Sequence, residues 1–320
     1  MTTRNKSRSH PHAAIPDAGS GSLISDARLV ELYAAMLRCR ILRERIRAFA
    51  SPSKLRAFSS SSEAVVAAAI IGLVPEDAII SSAPHLCAAL LKGVPLESIL
   101  RPFRTRPKIS PDASDGADVS SGFFVAPSDG ADRLIFSTGA LAAGVACACK
   151  RDNRNAVALA FYEDSGGKAP WPAIFAFALA HQLPLICIRH ASRQFQQAPR
   201  RGKSRRSLGS IPGALPIIPV DSNDAVAVYR VVHEAISHAR RGSGPTLIDC
   251  VPLRLPGERK RDSDCIVRME RYLEAKGLRP DRIRAAATAK FTRAIGAAVA
   301  ATRSKSRAKR SVRRSGKSGN

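Results

Sequence analysis

Asp164 is the residue of this 320-residue chain best placed to do chemistry. It follows a short apolar run, Val157 to Tyr162, and opens the loop Glu163, Asp164, Ser165, Gly166, Gly167, Lys168, Ala169, Pro170. After a helix-length segment a second apolar run, Leu185 to Ile188, begins behind Pro184. Two such runs joined by a helix predict a right-handed crossover between parallel strands, with the loop at the carboxyl edge of the sheet, where open α/β sheets bind ligands. A carboxylate at that edge can hold a magnesium ion, and the amides of a Gly-Gly turn entering a helix can face a diphosphate. The same carboxylate can instead cap the following helix, and both readings stand. His181 and His190 flank the crossover without a partner at metal-ligand spacing. His85 reads as a helix-start histidine, and Glu63 as an acid that either orients site groups or meets backbone amides at a helix entry.

The elements that must position these groups follow from periodicity. Leu29, Tyr33, Leu37, Ile41, Leu42, Ile46 and Phe49 recur every three or four residues, which predicts a long amphipathic helix from Asp26 to Ala50, capped by Ser25 or Asp26, with Arg38, Arg40, Arg43, Arg45 and Arg47 on its other face. An alanine-rich helix is expected to Leu73, a strand over Ala78 to Ser82, a helix over His85 to Leu91 stopped by Gly93, and another over Gly139 to Lys150. Strands are expected at Ile217 to Val220 and Thr246 to Val251, flanking a helix capped within Asp221 to Asp224 and running to Arg241. Residues 104–132 read as a long loop. Strands alternating with helices indicate an α/β fold: an open, mostly parallel sheet with helices on both faces.

The formal charge of +25 is segmental. Thr302 to Asn320 holds eight Lys or Arg and no acid, and Arg189 to Arg206 holds seven and no acid. We expect three parts: a basic, disordered arm over 1–22, an α/β domain over 23–301, and a basic, disordered tail over 302–320 that can contact a polyanion but has no aromatics for base stacking. The seven cysteines form no C-x-x-C pair and mostly lie in apolar stretches, as small core residues of a reducing compartment would. No apolar run reaches the roughly 20 residues of a membrane span, and no secretory signal is evident, so a cytoplasmic protein without membrane contact is expected.

Several phrases then carry a resemblance. They are Leu32-Tyr33-Ala34-Ala35-Met36-Leu37-Arg38, Ser62-Glu63-Ala64-Val65, Leu90-Leu91-Lys92-Gly93-Val94, Leu183-Pro184-Leu185-Ile186, Val220-Asp221-Ser222-Asn223-Asp224-Ala225-Val226-Ala227-Val228-Tyr229 and Gly244-Pro245-Thr246-Leu247-Ile248-Asp249. Over Leu23 to Val251 the chain resembles the alpha subunit of the thiamine-diphosphate-dependent 2-oxo acid dehydrogenases, of the pyruvate and branched-chain type. The resemblance implies the thiamine-diphosphate-binding fold and thiamine diphosphate with Mg2+ as cofactors. It further implies a beta subunit in an α2β2 assembly, and acyl transfer to a lipoyl-bearing acyltransferase. It also implies that Asp164 and Ser192 stand at the metal, and Asp164, Ser165 and Gly166 at the diphosphate. The family's G-D-G is here Glu163-Asp164-Ser165, its N-N pair is Ala191-Ser192, its T-Y-R-x-H run is Ser82-Ala83-Pro84-His85-Leu86 and its later G-H-S is Gly257-Glu258-Arg259. No residue stands out as the catalytic acid or base. The alternatives that follow are a pseudoenzyme subunit acting as a binding partner, or a pocket adapted to another anion.

Overall fold

The computed structural model describes residues 24–48, 62–81, 85–104, 123–125, 138–164, 171–191, 212–253 and 262–315. The basic arm over 1–22 lies outside these residues.

Six parallel strands form one sheet. They are β1 (Ala78–Ser81), β2 (Phe123–Val125), β3 (Ala158–Asp164), β4 (Leu185–Ala191), β5 (Ile217–Asp221) and β6 (Thr246–Val251), in spatial order β2-β1-β3-β4-β6-β5. Chain order reverses between β1 and β3, since β1 leads outward to β2 and β3 leads the other way to β4. Such a switch point opens a crevice at the carboxyl ends of the two strands. The expected α/β architecture is therefore present, and among the described residues the sheet is wholly parallel.

The helices are α1 (Asp26–Arg47), α2 (Glu63–Ile70), α3 (Leu86–Leu91), α4 (Leu96–Arg104), α5 (Thr138–Arg151), α6 (Trp171–Ala180), α7 (Ala225–Arg240), α8 (Cys265–Ala275) and α9 (Pro280–Ser315). Side-chain alternation along the strands splits the core in two. One cluster joins Ile79, Leu159, Phe161, Ile186 and Ile248 to α1, α2, α3, α7, α8 and α9, and the other joins Ile80, Ala158, Ala160, Leu185 and Leu247 to α5 and α6.

Burial explains why α2 is so alanine-rich. All eight of its residues are buried, and it packs against both α1 and α7. Small side chains let α1 and α7 approach α2 closely. Ser25 caps α1, accepting a bond from the Arg28 amide, and Asp224 caps α7 through the amides of Val226 and Ala227. Gly93 ends the turn after α3 at φ +94°, a left-handed conformation that glycine reaches without steric cost. Six cysteines are buried and Cys147 is exposed. Burial pushes the Cys187 and Cys250 thiols well up, so they pack as apolar groups.

One stretch differs from the sequence reading. Residues 104–132, read as loop, contain β2, three residues paired with β1. Helix α9 extends past residue 301 to Ser315. Arg, Lys and Ala are strong helix formers, and nothing in 302–315 breaks the helix. No helix among the described residues is long and apolar enough to cross a membrane.

Candidate functional site

β3 ends on Asp164, two residues past the apolar run that marks it in the sequence. Glu163 pairs in register with His190 and Asp164 with Ala191, so the ladder to β4 carries both acids to the carboxyl edge of the sheet. Ser192 follows Ala191 in the chain. Ser165, Gly166 and Ser192 lie outside the described residues, as does Lys168.

His85 lies across the crevice, at the entry to α3. It stands at the cap position of that helix, but its side chain makes no capping bond. The imidazole is 3 % exposed and tilts against the Phe161 ring of β3, with centroids 4.4 Å apart. Burial, with smaller contributions from His190 and Arg43, lowers its pKa to about 3. His85 is thus a neutral imidazole at physiological pH, one that can donate one hydrogen bond and accept another. His190, also buried, projects from the end of β4. The sequence kept these two histidines apart, and the fold brings both to the same strand ends.

Beside His190 a cleft of about 200 Å3 opens between α1, the amino ends of α2 and α8, and the turns after β5 and β6. Arg40 and Arg43 line it from α1. Arg40 Nε meets Glu63 Oε1 at 2.9 Å, and Arg43 Nη1 meets the same oxygen at 2.8 Å. Arg40 also grips both oxygens of Asp264 at 3.1 Å. Burial drives the Glu63 carboxyl up, but Arg43 and Arg40 together outweigh it and hold the group below the ordinary carboxylate value. Asp264 is held low in the same way, its burial outweighed by Arg40 and by the Ile266 amide. Glu63 therefore pairs with two arginines of α1, which are partly buried beside the cleft. Arg189, the first cation of the run Arg189 to Arg206, is paired with Asp249 on the neighbouring strand β6 at 2.5 Å.

The donor set decides what the site can hold. Arg40 and Arg43 face Glu63 and Asp264, two cations against two carboxylates, so this network brings no net positive charge to an incoming diphosphate. A divalent ion is one group that could supply it. Among the described residues no three His, Cys, Asp or Glu side chains gather as a metal cluster. Magnesium does not need such a cage: it is commonly held by one or two carboxylates, with phosphate oxygens and water completing the octahedron. One carboxylate at position 164, at the switch point and ahead of a Gly-Gly loop, suits a magnesium diphosphate.

Comparison with known proteins decides the family. The family described as "Dehydrogenase E1 component" matches residues 33–288. This chain belongs to that family. Within the E1 family it is similar to the pyruvate dehydrogenase E1 component subunit alpha of Staphylococcus aureus strain Mu50, with 28% identity over 278 residues, 80% of this chain and 72% of that one. The same subunit of Staphylococcus epidermidis is 32% identical over 157 residues, 42% of each chain. The expected relationship to the alpha subunits of 2-oxo acid dehydrogenases holds, at the distance of a divergent member. The E1 match runs through α1, the whole sheet and α8 into α9, so it includes both the crevice and the cleft.

Proposed function

We propose that this chain is the alpha subunit of a thiamine-diphosphate-dependent E1 component that decarboxylates a pyruvate-like 2-oxo acid and passes the acyl group to a lipoyl arm. One observation carries the reading: in a chain of the E1 family, the β3–β4 register ends on a carboxylate at the sheet's switch point. When bound, thiamine diphosphate supplies a nucleophilic carbon for the 2-oxo group and an electron sink for the loss of carbon dioxide. Asp164 would hold the Mg2+ that accompanies the diphosphate, with Ser192 as a second, weaker metal position and Ser165 and Gly166 at the phosphate, as the family resemblance implies. His85 and Phe161 fill the crevice floor and exclude water. Since His85 stays neutral, it can orient a carbonyl or hydroxyl oxygen by a hydrogen bond but cannot act as a cationic acid. The Arg40 and Arg43 network fixes the ends of α2 and α8 around the cleft. A beta subunit completes the site in an α2β2 assembly, and a lipoyl-bearing acyltransferase takes the product.

The experiment is 2-oxo-acid-dependent reduction of an artificial electron acceptor by this chain mixed with a beta subunit, thiamine diphosphate and Mg2+. Turnover that vanishes in Asp164→Ala supports the reading. A second reading is favoured by the pairing of Arg40 and Arg43 with carboxylates and by Ala191-Ser192 standing where the family resemblance implies an N-N pair. In it the chain keeps the fold and the beta-subunit contact as a pseudoenzyme, and a stable complex with no turnover would favour that reading.

A further inference from the structure

Helix α9 changes character part-way along its length. Up to residue 300 it is a packing helix: Phe291, Ile295 and Ala298 are buried in the core, and Arg284 reaches Glu270 and the Tyr33 hydroxyl. From 301 to 315 the helix continues with seven Lys or Arg, no acid, and Val312 as its only apolar residue larger than alanine. No acid occurs anywhere after Asp281. This half of the helix lacks the apolar stripe that would let it pack on a core.

Its cations recur at regular spacing along the sequence. At 3.6 residues per turn, Arg303, Arg307, Arg310 and Arg314 fall within an arc of about 60°, along roughly 16 Å of helix. Lys305, Lys309 and Arg313 form a second row. Like charges four residues apart repel, while cations near a helix C-terminus are favoured by the macrodipole, so a polyanion laid along the row would stabilise the helical form.

We propose that residues 301–315 of α9 form an arm that binds duplex nucleic acid through its phosphates, without reading sequence. All four positions of the first row are arginine, whose planar fork matches phosphate oxygens in a bidentate way that lysine cannot. No aromatic residue occurs in the segment, so it offers no stacking platform for single strands. The duplex carries a charge about every 1.7 Å of axis, far denser than carboxylates on a protein surface, and each neutralised phosphate releases a counterion. The chain's net charge of +25 favours the same class of partner. The inference is independent of cofactor binding.

The test is fluorescence anisotropy of a labelled duplex of roughly 20 base pairs with the full-length chain, titrated from about 50 mM KCl upward. Binding is expected at low salt, equal for two unrelated sequences. The quadruple variant Arg303→Gln, Arg307→Gln, Arg310→Gln, Arg314→Gln should flatten the plot of log K against log salt by about 3.6, at about 0.9 per lost phosphate contact. Glutamine keeps helix propensity, and an unchanged melting curve would verify the fold. No binding at about 50 mM KCl, or an unchanged slope in the variant, would overturn the proposal. So would displacement of the duplex by polyglutamate at a lower charge concentration than by competitor duplex, which would point to an acidic protein instead.

Discussion

Arg40 and Glu63 lie 2.9 Å apart, and the pair sits where two helices begin. Glu63 is the first residue of α2, and Asp264, the other partner of Arg40, caps α8 through the Ile266 amide. A guanidinium close to two helix amino ends would meet their partial positive charge, and the interposed carboxylates reverse that repulsion. The network ties α1, α2 and α8 together around the cleft. Removing one partner strands the others: Glu63→Gln, with the side chain 7% exposed, should cost about 3 kcal/mol of stability, read as a lower urea midpoint at unchanged slope.

The pH dependence has two sources of one sign. The Glu63 and Asp264 carboxyls are held below their ordinary values, so the unfolded chain takes up their protons first. The stability they contribute is fully present above the unfolded carboxylate range and is lost as pH falls through their lowered folded values. His85, folded at about 3 against 6.5 unfolded, contributes stability that is fully present above pH 6.5 and declines from there down to about pH 3. At pH 5.5 the histidine alone should cost the wild-type protein about 1.4 kcal/mol relative to pH 8, and His85→Asn should remove that part of the slope. Chemical denaturation at the two pH values measures it, and an identical slope in the variant would refute the assignment.

Gly139 and Gly144 separate close packing from propensity within one helix. A Cβ at Gly139 would stand 2.5 Å from Ile174 Cδ1 and 3.1 Å from the Trp171 ring, so Gly139→Ala should force α5 from α6 and cost about 1–3 kcal/mol. At Gly144 a Cβ meets nothing within 4 Å, and Gly144→Ala should stabilise by up to about 1 kcal/mol through helix propensity. Thermal melts of the two variants should move in opposite directions.

Asp77 supplies a further test. Its carboxylate is fully buried, accepts the Val157 and Val74 amides at 2.9 and 2.8 Å, and meets Arg240 of α7 at 2.6 Å. It thereby ties the turn before β1 to the start of β3 and to α7. Asp77→Ala should cost about 3–5 kcal/mol, more than Asp77→Asn, which keeps one acceptor for the amides. Equal denaturation midpoints for the two variants would contradict this account.

What the sequence reveals and hides follows from the range of the interactions. Strand β6 and the caps at Ser25 and Asp224 are legible because they depend on neighbouring residues. The end of β3 is not: Glu163 and Asp164 look like loop residues, and only their pairing with His190 and Ala191 makes them strand. Strand β2 is three residues held by β1 inside a Pro- and Asp-rich stretch, with no periodicity of its own. The Arg40 network joins residues 23 and 224 positions apart, a separation that spacing rules do not reach. For Glu63, the one local hint was an acid opening an otherwise apolar helix. His85 read as an ordinary helix-start residue, and only the fold reveals its burial against Phe161.

The most direct test of the central claim, that Asp164 anchors the divalent ion of a diphosphate cofactor, is a thermal shift of the chain with its beta subunit. With thiamine diphosphate and Mg2+ near a hundredfold above Kd, ligand linkage predicts about 2.7 kcal/mol of added stability and a melting temperature higher by several degrees. The rise should disappear in Asp164→Ala and on removal of Mg2+ with a chelator. A wild-type complex with an unmoved melting temperature, or an Asp164→Ala complex with the full rise, would contradict it.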